Sequence, residues 1–379
     1  MKIAIITRYF LPYQIGGIEI HSRDLAEELG KLGHEVHIFT STDSSLKKSV
    51  GKEKIVYKKY FTIHYLKSYF GIINPDLSKF DIIHIQEYFR PLSNYIILKW
   101  WKKTPILLTL HGGLMGPYFY KKTTLKYIKI LHDKLAIKFL FKKIKKIITV
   151  SELERKILIK NYNVSKEKIN LITNCISNDI IKFSKEKINV KPNINYKYIL
   201  TIARLSKIKN IDKVIKILPY LPEDIHYLIV GPDDGELKYL KDLSKKMKLK
   251  HRVHFLGKIH GYKKYKILKN ALVFILISDF ESQPITILEA MFSGIPIITI
   301  NKYGPAKIIK HKRNGFLCSP YDMKNLIRYI KLLYNNKNLW KKFSHYNLKD
   351  YKKYTWEKNI NKILNIYKEI LGGNYGKIY

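Results

Sequence analysis

Short runs of apolar, often β-branched residues recur along this chain, each followed by a polar turn and a stretch with helical spacing, and that alternation admits few folds. Lys2 to Thr7, Val36 to Thr40, Ile82 to Gln86, Ile106 to Leu110 and Ile147 to Val150 form the first series. Runs so short and so continuously apolar read as strands covered on both faces, the condition of a parallel sheet. Parallel neighbours need crossovers long enough for a helix, and the intervening stretches supply them. The first crossover passes Pro12 and Gly17, turns into a helix near Glu19 to Leu32 and stops at Gly33. A polar, lysine-rich stretch at Phe183 to Tyr198, with Pro192 and three asparagines, interrupts the series and is expected to be a linker. The pattern then restarts with Tyr198 to Ala203, Ile225 to Val230, Val253 to Leu256, Leu272 to Ile277 and Ile295 to Ile300.

Two α/β domains are therefore expected, at 1–183 and 184–354, because 379 residues exceed what one core holds. The tail, 355–379, carries Ile360, Ile363, Leu364, Tyr367 and Leu371 on one helical stripe and is expected to cross back to the first domain. No apolar run is long enough to span a membrane, and Met1 to Ile6 runs into Arg8 too soon for a secretory signal. Cys175 and Cys318 stand in unrelated contexts, so no disulfide framework or zinc site is expected and a cytoplasmic location fits.

The formal charge of +41 attracts polyanions of any kind. Only eight of the 71 basic residues are arginine, the side chain that suits base-edge and bidentate phosphate recognition, so no specific nucleic-acid partner is expected. An anionic membrane surface at the inner face of the cell is the other candidate. Ten lysines and one acid lie between Lys121 and Lys146, with Leu125, Ile128, Leu131, Leu135 and Phe139 near helical spacing. That is a basic amphipathic helix able to lie on anionic lipid, and equally an ordinary crossover helix on the sheet.

The chemistry is concentrated at strand ends. Asp279-Phe280-Glu281-Ser282-Gln283-Pro284-Ile285-Thr286-Ile287-Leu288-Glu289 follows an apolar strand, placing Glu281 in a loop and Glu289 on the next helix. Open α/β sheets bind ligands at that carboxyl edge, where carboxylates accept from sugar or ribose hydroxyls and the amides of Ile285 and Thr286 face polar ligand atoms. A helix cap and a buried, paired glutamate would look the same in sequence. Arg204 leaves the strand Tyr198 to Ala203 and Lys209 follows five residues later, two cations suited to a pyrophosphate leaving group. Gly16 and Gly17 join the first strand to the first helix, without the spacing of the dinucleotide fingerprint. His111 leaves strand Ile106 to Leu110 just before Gly112 and Gly113 and is expected to face the interdomain cleft.

Together these residues resemble the family 4 glycosyltransferases, the glycosyl transferases of group 1, over nearly the whole chain. The resemblance implies the GT-B fold, two Rossmann-like domains with parallel sheets facing across a cleft. It also implies a retaining glycosyltransferase of hexosyltransferase type, moving a sugar from a nucleotide-diphosphate sugar to a hydroxyl acceptor such as a lipid-linked sugar or glycolipid. The family's E-x7-E motif is similar to Glu281 to Glu289, which implies that Glu281 meets the donor sugar and Glu289 the ribose. Arg204 and Lys209 match its basic pair on the donor diphosphate, Gly16 and Gly17 its first glycine loop, and His111 a histidine beside the transferring sugar. Gly231 and the Phe255-Leu256 segment match donor-binding stretches, the latter beside the base. Pro284 stands where many members have glycine, and Lys307 where a glutamate is usual. No Asp-x-Asp motif occurs, so a mechanism without metal or cofactor is expected, with cations and amides holding the leaving diphosphate. A sugar-nucleotide epimerase or phosphorylase on the same fold, and a basic polyanion-binding protein without enzymatic activity, are the competing readings.

Overall fold

The computed structural model describes residues 1–13, 16–43, 51–88, 90–112, 135, 137–185, 194 and 196–373. The chain's internal contacts divide into two units, Met1–Cys175 with Trp356–Tyr379, and Ile176–Thr355.

In the first unit eight strands form one sheet in the order β3-β4-β2-β1-β5-β6-β7-β8. They are β1 (Lys2–Ile6), β2 (Glu35–Ser41), β3 (Lys54–Tyr57), β4 (Thr62–Leu66), β5 (Ile82–Gln86), β6 (Ile106–Leu110), β7 (Lys146–Thr149) and β8 (Ile169–Leu171). Only β3 runs antiparallel, pairing with β4 at the edge. Alternate residues of β1 feed opposite cores. Ala4 and Ile6 pack with Ile83, Ile85, Leu108 and the Arg90–Trp100 helix. Ile3 and Ile5 pack with Leu25 and Leu29 of the Gly17–Lys31 helix and with Trp356, Ile360, Ile363 and Tyr367 of the Trp356–Ile370 helix. The tail is thus part of the first core. Truncating one of these buried isoleucines to alanine costs about 2–5 kcal/mol.

The second unit has six parallel strands in the order β11-β10-β9-β12-β13-β14. They are β9 (Lys197–Ile202), β10 (Ile225–Val230), β11 (Val253–Phe255), β12 (Val273–Leu276), β13 (Ile297–Ile300) and β14 (Gly315–Cys318). Tyr198, Leu200 and Ile202 face a core shared with Leu228, Phe274, Leu288 and Met291, while Ile199 faces Val214, Tyr227, Ile275 and Ile298 on the other side. The six strands put the exits of β9 to β13 along one edge.

Several details differ from the sequence expectation. The units divide at Cys175/Ile176, ahead of the expected boundary at 183/184, because the Asn178–Lys185 helix brings Ile180 into the second core. Phe183 therefore belongs to a helix; of the expected linker, 186–193 and 195 lie outside the described residues. The edge strands β3, β8 and β14, and β4 beside β3, were not read from sequence; β3 is mostly exposed and β4 is interrupted by His64. Most of the basic helix expected over Tyr118 to Lys146 lies outside the described residues, whose helical end spans 137–143. Among the described residues no helix is long and apolar enough to cross a membrane.

Candidate functional site

The exits of the second sheet hold most of the residues singled out above. Lys209 ends the short helical turn Lys207–Lys209 after β9, and Glu281 lies in the loop after β12. Their side chains meet, with Lys209 Nζ 2.6 Å from Glu281 Oε1 and both side chains less than 15% exposed. Ser278 Oγ donates to the same oxygen at 2.7 Å. A lysine and a carboxylate held this close and this dry form a preformed charged element, in which an incoming anion can compete for the lysine.

Pro284 is the N-cap of the Ile285–Phe292 helix, so the amides of Ile285 and Thr286 fall in its first turn, where backbone donors lack helical partners. Glu289 projects from the middle of this helix and is fully buried. Lys264 Nζ lies 2.5 Å from Glu289 Oε2 as an ion pair rather than as a hydrogen bond. Among the described residues neither Glu289 oxygen accepts one. A buried carboxylate with unused acceptor capacity is costly unless a ligand or water completes it, and a vicinal diol is a fitting complement.

Arg204 behaves differently from Lys209. Its guanidinium is half exposed and pairs with Asp234 Oδ2 at 2.9 Å, not with either glutamate. Gly231 leaves β10 against the chain leaving β9, and a Cβ there would collide with the carbonyl oxygen of Ala203. Gly304, after β13, is likewise pressed on the carbonyl of Ser282, so the loop carrying Glu281 is braced by backbone that admits no side chain. Leu256 N donates to Ile229 O at 2.9 Å and Gly231 N to Gly257 O at 2.8 Å, setting Phe255 and Leu256 beside the β10 exit. Lys307, at the position where the resembled family usually has a glutamate, lies in the short Pro305–Ile308 helix.

The remaining candidates belong to the first unit. Gly16 is the N-cap of the Gly17–Lys31 helix and its carbonyl accepts from Ile20 N; a Cβ on Gly16 would lie 2.7 Å from Glu19 Oε2. His111 follows β6, and its Nε2 is 3.0 Å from Gln86 Oε1 at the end of β5. Its ring lies 4.9 Å from His21, whose ring lies 5.0 Å from Trp356. Burial, with the neighbouring His21 and His84 adding to it, holds the His111 proton affinity well below that of an ordinary histidine. Burial likewise lowers His21 to about 4 and His84 to about 3. His84 sits between Tyr367 OH at 2.7 Å and Thr109 Oγ1 at 2.6 Å. These rings are neutral near pH 7 and serve as polar, uncharged walls.

Four contributors escaped the sequence reading. Glu154 bonds the amides of Gly112 and of Val150, the latter at 2.8 Å, pinning the turn after His111. Its signal was the Ser151-x-x-Glu154 capping box at the head of the Glu152–Tyr162 helix. His21, Lys264 and Asn210 carried no comparable local pattern; only the fold brings them to the exits.

Comparison with known proteins agrees on the family and the fold. The family model described as Glycosyltransferase Family 4 matches residues 15–179, and that described as Glycosyl transferases group 1 matches 183–350. An uncharacterized glycosyltransferase of Methanocaldococcus jannaschii is 27% identical, covering 97% of this chain and 98% of its own. Alpha-monoglucosyldiacylglycerol synthase of Streptococcus pneumoniae is 27% identical over 84% of this chain and 75% of its own. The Escherichia coli UDP-Gal:alpha-D-GlcNAc-diphosphoundecaprenol alpha-1,3-galactosyltransferase is 29% identical over 69% and 68%. Among solved structures, sucrose-phosphate synthase of Thermosynechococcus elongatus superposes with a TM-score of 0.79 at 17% identity, covering 98% of this chain and all of its own. Anabaena HepE in complex with UDP-glucose gives 0.70 at 16% identity, covering 98% of this chain and all of its own.

Proposed function

The chain belongs to the glycosyltransferases of family 4, group 1, and from that premise we propose that it moves a hexose, with retention at the anomeric carbon, from a nucleotide-diphosphate sugar to the hydroxyl of a lipid-linked sugar or glycolipid. The observation that carries the donor half is the 2.6 Å Lys209–Glu281 pair beside a buried Glu289 whose oxygens accept no hydrogen bond among the described residues. In this reading the donor diphosphate draws Lys209 from Glu281, and the released carboxylate accepts from the sugar hydroxyls. Glu289 takes the ribose diol, and the base lies along Phe255 and Leu256. Gly231 and the amides of Ile285 and Thr286, next to Pro284, line the phosphates, and in the first unit Gly16 and Gly17 leave backbone donors at the start of a helix. His111 of the first unit, neutral, is suited to a sugar hydroxyl. As the sugar–phosphate bond breaks, charge grows on the diphosphate and Lys209 and Arg204 stabilise it without a metal ion. A departing phosphate oxygen accepts the proton of the acceptor hydroxyl that attacks from the same face. Solved HepE holds UDP-glucose, which supports a nucleotide-sugar donor here.

A thermal-shift screen across uridine, guanosine and adenosine diphosphate sugars, followed by a hydrolysis assay of any hit with and without EDTA, tests the donor half. No stabilisation by any of them, or epimerised donor in place of transfer, would sink it, and lost activity in EDTA would remove the metal-free step.

The acceptor half rests on a surface of the first unit. The stripe residues Leu135 and Phe139 are 67% and 58% exposed, while Ile137, Leu140 and Phe141 of the same segment pack into the core. Lys143 Nζ sits 3.5 Å over the Trp101 ring and 4.5 Å over that of Phe139, joining this segment to the end of the Arg90–Trp100 helix, where Leu98 is also exposed. Apolar side chains ringed by lysine suit an anionic bilayer at the inner face of the membrane. By their names, one relative given above makes a glucosylated diacylglycerol and another galactosylates a diphosphoundecaprenol-linked sugar. Co-sedimentation with phosphatidylglycerol vesicles should exceed that with phosphatidylcholine vesicles several-fold and fall in a Lys142→Glu, Lys143→Glu variant; indifference to lipid charge would remove the membrane from the proposal.

A further inference from the structure

Lys209 owes its position to a neighbour that no donor atom needs to touch. The residue after it, Asn210, turns the chain into the left-handed region at φ 54° before the Ile211–Ile217 helix begins. Glycine adopts that dihedral freely and asparagine tolerates it, so the backbone alone does not call for asparagine. Its side chain supplies what glycine lacks. Asn210 is 5% exposed, and its Nδ2 donates to Ile277 O at 2.9 Å and to Asp279 Oδ1 at 2.8 Å. Both acceptors lie on the segment leaving β12, just before Glu281. A backbone bond runs alongside, Asp279 N donating to Ile208 O at 2.8 Å. The network continues outward: Tyr321 OH donates to Asp279 Oδ1 at 3.0 Å, and Lys213 Nζ donates to Asn210 Oδ1 at 2.7 Å while lying 3.6 Å over the Tyr321 ring.

The turn bearing Lys209 is thus stitched to the loop bearing Glu281 in three ways, by the Lys209–Glu281 ion pair, by the Asp279–Ile208 backbone bond and by this amide tether. A diphosphate that draws Lys209 away removes the first. We propose that Asn210 is a positioning residue for diphosphate binding: its buried amide holds the Lys207–Lys209 turn against the β12 exit once the ion pair is released, so that Lys209 stays in reach of the phosphates. This rests on the reading of Lys209 as a diphosphate ligand, and the experiment separates the two.

Binding of UDP, GDP, UMP and GMP to the full chain is measured by calorimetry for the parent, Asn210→Gly and Asp279→Asn. Glycine at 210 keeps the left-handed turn and loses the tether, whereas Asp279→Asn removes the charge and keeps an acceptor oxygen for the tether. The parent should prefer one diphosphate to its monophosphate. Asn210→Gly should shrink that preference roughly fivefold to tenfold, the worth of one to two hydrogen bonds, with monophosphate affinity within about twofold. Asp279→Asn should keep the preference within about twofold. A parent that binds a nucleotide without favouring its diphosphate overturns the role of Lys209 itself. With the parent preference present, Asn210→Gly that retains it overturns the positioning role alone. Equal loss of mono- and diphosphate binding does the same, because it reports general damage to the site; so does a loss in Asp279→Asn as large as in Asn210→Gly, which would make charge rather than the tether decisive.

Discussion

At the carboxyl edge of the second sheet Lys209, Glu281, Lys264 and Glu289 stand as charged groups in contact, whereas beside the carboxyl edge of the first His21, His84 and His111 are crowded, neutral rings. Both edges come from the same alternation of strand and helix, so the difference lies in what the exits were given to hold. Cations with carboxylate partners can exchange those partners for an anion. The neutral imidazoles instead bond to uncharged partners, Gln86, Thr109 and Tyr367, and avoid the cost of desolvating a charge. Exchangeable charge is thus gathered in the second unit, whereas the first gathers uncharged hydrogen-bonding rings.

The sharpest way to break that division is Lys209→Ala. Transfer should fall about 10²- to 10³-fold, as when an electrostatic stabiliser of the transition state is removed, and steady-state rates on the donor found by the thermal-shift screen would show it. A rate within a few-fold of the parent would mean that the charged edge is structural. Next in size is His111. Alanine there should lower kcat/KM about 10- to 100-fold and asparagine, a neutral hydrogen-bonding replacement, considerably less, with no inflection near pH 6.5 in the parent's rate profile that belongs to His111. Alanine and asparagine variants with equal losses would speak for a packing role.

Acid titration probes the first unit as a whole. An unfolded histidine takes its proton near pH 6.5, whereas folded His21 and His84 take theirs only near 4 and 3. Between those values the unfolded chain binds more protons, so the stability these burials allow is present above pH 6.5 and is lost as pH falls. Each contributes a slope of up to about 1.4 kcal/mol per pH unit. Calorimetric unfolding from pH 7 to 4.5 should show the loss, and His84→Gln should flatten it; an unchanged slope would place the acid sensitivity elsewhere. The smallest effect is expected at Asp234, the partner of Arg204. Their ion pair is half exposed and worth little, so Asp234→Asn should alter nucleoside diphosphate affinity by only about twofold, more at low salt than at high.

Much of the architecture was legible beforehand. Ile82 to Gln86, Ile106 to Leu110 and Ile225 to Val230 are strands with the bounds read from the sequence, because a strand buried on both faces must be apolar throughout. Edge strands escape that rule: Ile55 and Tyr57 of β3 are largely exposed, and β14 starts at a glycine. At the site, Glu281, Glu289, Arg204 and Lys209 were recognisable by type and spacing, whereas their partners were not. Nothing near Glu289 in sequence announces Lys264, and nothing near Lys209 announces that Asp279 will fasten the turn beside it.

By itself, then, the order of residues determined which central segments are buried, roughly where their strands end and which charged residues stand at those ends, since burial periodicity and turn chemistry are local. Tertiary structure alone decided which charges pair, which carboxylate is left with unused acceptor capacity, and which histidines are held neutral. Pairing and proton affinity depend on distance and water exclusion, and both are fixed by strands far apart in the chain being laid side by side.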